Sequence, residues 1–125
     1  MDVLHEPDIE MKSLPGRELG WVASKDVLGS RYCSSCLIRV QPGSTVKPAH
    51  SHPQGEEIIH IIAGEGQVNI DGKVSSVRSG STILFREDAI HLLRNTGTEE
   101  LKVICFFAPH TGIEDYHFHE DFEWK

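Results

Sequence analysis

Apolar positions along the chain fall into short runs broken by turn residues, and the three-to-four spacing of a helix is hard to find. The runs are GWVASKDV (20–27), RYCSSCLIRV (31–40), EIIHIIAG (57–64), QVNI (67–70), KVSSV (73–77), STILF (81–85), AIHLLRN (89–95) and LKVICFFAP (101–109). β-branched and aromatic residues are enriched in most of them, which suits a pleated, half-buried surface. Between QVNI and KVSSV, Asp71-Gly72 predicts a two-residue type I′ hairpin, because that turn needs positive φ at both positions. Strands at this spacing without intervening helices predict an all-β sandwich or closed barrel. In the run 57–64, residues 57, 59, 61 and 63 share one face.

Composition narrows the class. A chain of 125 residues is one domain's worth and is long enough to bury a core without staples. Hydrophobic content of 38% with 25% charged residues fits neither a disordered chain nor a membrane protein. Nineteen acidic against 12 basic residues give a net charge of −7, which repels nucleic acid, and no Lys/Arg cluster offers a local exception. MDVLHEPDIEMKSL lacks the basic and apolar regions of a signal peptide, and no apolar run approaches the ~18 residues of a membrane span. These features predict a cytoplasmic protein with no membrane partner. Cys33 and Cys36 form a lone CxxC on a predicted strand, where positions three apart face opposite sides about 10 Å apart, too far for a disulfide. Together with Cys105 they are expected to be buried, reduced thiols.

Candidate chemistry centres on HSHPQGEE (50–57). His50 and His52 occupy alternate positions, so on an extended chain both rings project to one face. Pro53, Gln54 and Gly55 turn the chain, Glu56 or Glu57 opens the next strand, and AIHLLRN supplies His91 far downstream. Imidazoles with a carboxylate suit a divalent transition metal (Fe, Mn, Ni, Zn, Co or Cu), whereas Ca and Mg prefer oxygen ligands.

The stretch PGSTVKPAHSHPQGEEIIHIIAGEG resembles the first motif of the cupin superfamily, with Gly43, His50, His52, Glu57 and Gly64 in the motif positions. GSTILFREDAIHLLRN resembles the second, through Gly80, His91 and Asn95, although Arg86 and Asp88 stand where cupins usually carry the Pro and Gly of a PxG turn. The resemblance covers roughly residues 31–108. It implies a double-stranded β-helix, a small jelly-roll barrel, with a metal inside held by His50, His52, Glu57 and His91. Glu57 is preferred to Glu56 because it leaves six residues to Gly64 and because Glu56 then faces outward with His60. The chain is expected to form a single domain over 1–125, with a barrel core at 31–108, an N-terminal arm at 1–30 and an acidic, aromatic tail at 109–125 that packs across the barrel or a partner.

Four ligands on an octahedral ion leave two positions open, an arrangement of the catalytic type. The first functional reading is a metal-dependent enzyme acting on a small chelating molecule, by dioxygenase or by isomerase/lyase chemistry. The alternative is a cupin that binds a sugar or organic acid without turnover, and a purely structural metal ranks third. Glu56, His60 and Arg94 are catalytic candidates if the fold turns them inward, and Arg39, Arg94 and Tyr32 could orient an anionic substrate from the barrel wall. His110, His117 and His119 are read as part of a packed or solvated tail. Because IIHIIAG and LKVICFF are apolar on both faces, and by the same resemblance, a homodimer is expected.

Overall fold

The computed structural model describes residues 2–124, so Met1 and Lys125, the outermost residues of the expected arm and tail, lie outside the described residues. Eleven strands are β1 (Lys12–Leu14), β2 (Arg17–Ala23), β3 (Ser34–Val40), β4 (Ala49–Ser51), β5 (Glu56–Ala63), β6 (Glu65–Ile70), β7 (Lys73–Arg78), β8 (Thr82–Phe85), β9 (His91–Asn95), β10 (Leu101–Ala108) and β11 (His117–His119). They form two antiparallel sheets, ordered β1-β2-β3-β10-β5-β8 and β11-β4-β9-β6-β7. This is the double-stranded β-helix that the sequence implied. Eight of the strands match the predicted runs. β1, β4 and β11 each have three residues, too short for a periodic pattern to declare them.

The core lies between the sheets and is filled by Leu19, Val40, Ile59, Ile61, Val68, Leu101, Val103 and Phe107 among others. Along β5 the alternation is strict, with Glu57, Ile59 and Ile61 buried and Glu56, Ile58, His60 and Ile62 exposed. β3 is buried on both faces for most of its length, which explains why its run reads as continuously apolar. The outer side of this sheet is covered at Gly20, where an added Cβ would meet the side chains of Ile9 and Met11. Glu6 fastens the N-terminal segment there, accepting from Lys102 Nζ at 2.8 and 2.9 Å and from Arg39 Nη2 at 2.6 Å. Residues N-terminal to 31, expected as an arm, therefore contribute β1 and β2 to a sheet.

Two turns bear on the barrel's shape. Asp71 and Gly72 take φ of +51° and +91°, as the type I′ hairpin requires, and Asn69 Oδ1 accepts the Gly72 N–H. Gly64 sits at φ +92° with a would-be Cβ 2.7 Å from the Glu100 carbonyl oxygen, so no larger residue fits that corner.

Asn95 locks the end of β9 to its surroundings. Its amide donates to the Val40 and Glu99 carbonyls at 2.8 and 2.7 Å, and its oxygen accepts the Gly97 N–H at 2.8 Å. All three bonds are made by a buried side chain, so removing it strands backbone groups without partners. Asn95→Ala is expected to lower stability by about 3 kcal/mol. In urea unfolding this appears as a lower midpoint with an unchanged slope.

Candidate metal centre

His50 and Ser51 lie in β4, His52 follows it, Glu57 is the second residue of β5, and His91 opens β9. β4 pairs with β9 so that His50 and His91 stand directly opposite, while β5 brings Glu57 from the other sheet. All four side chains are buried, and one potential ligand atom from each lies within 4.8 Å of the others. Ring centroids are 4.4 Å apart for His50–His91, 5.0 Å for His52–His91 and 5.4 Å for His50–His52. Phe85 stacks on His91 at 3.8 Å, and Phe107 meets His52 edge-on at 5.2 Å, giving the group apolar walls.

The hydrogen bonds fix which ring nitrogens point inward. His50 Nδ1 lies 3.1 Å from the Pro48 carbonyl and His91 Nδ1 3.0 Å from that of Ala89. A carbonyl only accepts, so both Nδ1 atoms carry a proton and Nε2 is the nitrogen each ring turns inward. Outward anchoring of this kind is what orients metal-binding imidazoles. His91 Nε2 is buried without a hydrogen-bond partner, yet it lies 3.2 Å from Glu57 Oε1. A lone pair aimed at a carboxylate oxygen is repulsive, and only a cation or a proton between the two atoms relieves it. His52 Nε2 is 2.9 Å from the same oxygen. The donor set and its orphaned nitrogen fit a transition metal, which His50, His52, Glu57 and His91 could hold.

Electrostatics keep these side chains in the forms that bind metal. Burial is the main influence pushing the His50 pKa down to about 3, His91 adds to it, and Glu57 opposes both. Burial alone would raise the Glu57 carboxyl, but the hydrogen bond from His52 and the adjacent His91 hold it well below the usual carboxylate range. Glu57 is the one buried carboxylate among the described residues.

The structure also brings in residues that the sequence did not single out. Tyr116, just before β11, stacks on His50 at 5.0 Å and meets His52 edge-on at 4.5 Å. Burial pushes its phenol up, so the phenol remains a neutral donor. The tail thus packs across the barrel, through β11 on β4 and through this ring. Arg17 on β2 is buried behind the group, and Cys36 and Cys105 face each other across β3 and β10. The Cys36 hydrogen bond and burial push the Cys105 thiol up. No sequence signal marks Arg17 or Tyr116, because their positions depend on strand pairing. A cavity of about 230 Å³ opens beside His52, bounded by Gln54, His110, Thr111 and Asp115.

Several expectations need correction. Glu56 and His60 face outward on β5, with His60 Nδ1 2.9 Å from Thr82 Oγ1, so neither reaches the group. Arg94 points out of the barrel as well, bonded to Gln67 Oε1 and lying over the Trp124 ring. Arg39 is occupied by Glu6 on the outer surface, and Tyr32 is 78% exposed. Cys33 is exposed, not buried like the other two thiols. His119 Nε2 lies 2.8 Å from Ser51 Oγ, His110 Nε2 accepts the Lys25 N–H, and His117 is exposed. The substituted turn keeps its shape: Asp88 adopts φ +63°, a conformation that Asp tolerates better than most residues, and its N–H bonds the His52 carbonyl.

A family model described as "Cupin domain" matches residues 36–107. Among curated relatives, polyketide synthase CurC of Streptomyces cyaneus is 25% identical over 107 residues, which cover 86% of this chain and 69% of the relative. Protein SchB of Streptomyces halstedii is 33% identical over 70 residues, 56% of this chain, and the chain spans about half of that protein. The oxalate-binding protein of Thermotoga maritima is 26% identical over 88 residues, 70% of this chain and 72% of the relative. Among solved structures, the predicted oxalate decarboxylase of Thermotoga maritima superposes with a TM-score of 0.77 at 22% identity, over 86% of this chain and 98% of that one. The Bacillus subtilis oxalate decarboxylase, studied for its Mn(II) centres, gives 0.72 at 22% identity, over 82% of this chain and 28% of its own.

The buried imidazole generates a pH dependence in the metal-free protein. Unfolded His50 titrates near about 6.5 and unfolded Glu57 near about 4.3. The folded His50 value is about 3, so below pH ~6.5 the unfolded chain binds the extra proton and stability falls with acidity. Below about 4.3 Glu57 adds to the loss in the same sense, since its folded value is depressed too. Between pH ~6.5 and ~4.3 the unfolding free energy of chelator-treated protein should drop by at most about 1.4 kcal/mol per pH unit from this residue. His50→Gln should flatten that part of the curve in denaturant titrations.

Proposed function

The chain belongs to the cupin domain family, and from that membership and its buried His₃Glu group we propose a metal-dependent cupin enzyme acting on a small chelating organic molecule. The observation that carries the reading is the inward-facing His91 Nε2, buried 3.2 Å from Glu57 Oε1 with no hydrogen-bond partner. His50, His52, Glu57 and His91 would hold a divalent transition metal. Bound there, such an ion supplies Lewis acidity toward a substrate oxygen and neutralises charge that develops on it. The Nδ1 anchors on Pro48 and Ala89 keep two of the rings in fixed orientations. Phe85 and Phe107 exclude water from the imidazoles, and the Tyr116 ring covers His50 and His52. Ligand imidazoles are poor general bases, since their lone pairs are committed.

A second reading, binding without turnover, is favoured by one observation. Outside the four grouped residues, the buried interior offers no further carboxylate or imidazole among the described residues to act as a base. It is the role named for the oxalate-binding relative. We propose further that the chain works as a single cupin unit and as a cytoplasmic homodimer. Support for the dimer comes from the outer face of β5 and β10, where Ile58, Ile62 and Phe106 remain 44%, 43% and 49% exposed and Ile58 lies opposite Phe106.

Elemental analysis of untagged protein should find about one transition-metal ion per chain, and His50→Ala with His52→Ala should abolish it. Metal-free wild type would reject the reading. Incubating the metal-loaded protein with oxalate and related chelating acids separates the two roles: an enzyme consumes the acid, whereas a binder raises the melting temperature and returns it unchanged. In sedimentation experiments Phe106→Asp should shift a dimer to monomer, while a wild type that sediments as a monomer would remove the dimer.

A further inference from the structure

The barrel interior holds one guanidinium, Arg17, that makes no ion pair among the described residues. Arg17 is 7% exposed and lies on β2 with Leu19 two positions on, facing the core. Its Nη1 donates to the carbonyls of Pro15 and Lys47 at 3.1 and 2.9 Å. Nε is buried and has no hydrogen-bond partner among the described residues. No carboxylate there forms an ion pair with it either. Arginine keeps its proton in proteins, so this is a buried cation bonded only to neutral carbonyls. Buried charges are ordinarily paired, and an unpaired one costs several kcal/mol.

We propose that Arg17 is an anion anchor, binding through its free Nε edge one carboxylate of a small organic acid whose other end reaches His50, His52, Glu57 and His91. This rests on the reading above that the grouped side chains form the ligand site, and it names the substrate class. Arg17 and His50 are set by the same stretch of backbone, since Arg17 bonds the Lys47 carbonyl and His50 the next one, that of Pro48. Two carbonyls hold the guanidinium plane, leaving a preorganised edge that suits carboxylate geometry. Its electrostatic neighbours are Tyr116, Cys36, Cys105 and Glu57, which oppose the downward pull of burial on its pKa. Of these only Glu57 carries a carboxylate, and its short contacts are with His52 and His91, not with Arg17. Glu57 is shared with the imidazoles, and a divalent ion there would outweigh it, leaving Arg17 uncompensated. An acid is the ligand that balances this interior. Tyr116, from a C-terminal segment rather than a core strand, closes this side of the group by stacking on His50.

Isothermal titration with malonate and with neutral malonamide tests the anchor, on protein loaded with Mn(II) and on chelator-treated, dialysed protein. Wild type should bind malonate in preference to malonamide in both forms. Arg17→Met should weaken malonate by at least about tenfold, with malonamide unaffected and metal content unchanged. Arg17→Lys keeps the charge but not the fork, and should fall several-fold below wild type. If Arg17→Met does not fold, the lysine variant alone decides. Malonate bound equally by wild type and variant overturns the inference, as does a wild type that does not distinguish acid from amide. Should wild type prove metal-free, the metal reading fails, while the chelator-treated comparison still decides on Arg17.

Discussion

A carboxylate and three imidazoles brought together inside an apolar barrel cannot be indifferent to what lies between them. In water the four groups would be solvated and spread apart. Here the pairing of β4 with β9 and the approach of β5 fix their separations before any ligand arrives. Burial removes the water that would satisfy the ring nitrogens; carbonyls of Pro48 and Ala89 claim Nδ1 of His50 and His91, while His52 Nδ1 is buried with no partner among the described residues. What remains is a set of ring nitrogens and a carboxylate aimed at one point, which only a cation or a proton satisfies. Much of the surrounding structure follows from holding that arrangement, from the stacked Phe85 to the turn at Asp88 that bonds back to His52.

The turn at residues 86–89 shows how a fold tolerates a departure from its usual residues. Asp88 occupies the left-handed region that a glycine would take without strain. Asp is among the few residues that adopt this conformation at modest cost, and the Ala89 N–H still closes on the Arg86 carbonyl. The substitution therefore leaves intact the delivery of His91 into β9.

How far the sequence discloses such a fold depends on how local each signal is. The alternation in EIIHIIAG, the Asp71-Gly72 turn and the spacing of His50, His52, Glu57 and His91 are readable within short windows, and the structure brings those four residues together. Short strands escape because three residues carry no period, although β4 holds one of the grouped histidines, His50, and the next, His52, directly follows it. Arginines defeat the reading altogether. Arg39 and Arg94 lie in apolar runs that invite an inward placement, but strand parity sends both to the outside, where Glu6 and Trp124 occupy them. Arg17 lies outside every predicted run, and its burial arises from where β2 pairs with β3 and from the distant Lys47 carbonyl.

Charge balance ties these observations together. The chain carries a net charge of −7, yet among the described residues the interior contains a single carboxylate, Glu57, against one guanidinium and three imidazoles. Its remaining titratable groups near the site are held neutral: His50 by burial, Tyr116 by burial, Cys105 by its bond to Cys36 and by burial. An interior of this composition does not attract cations in general, since Arg17 repels them and only the four convergent ligand atoms offset that repulsion. It favours instead a ligand that carries negative charge to Arg17 and oxygen atoms to the imidazole side. If Arg17 is the anchor proposed above, the acidic exterior would slow the approach of such a ligand and the buried cation would retain it, so selectivity would arise inside the barrel.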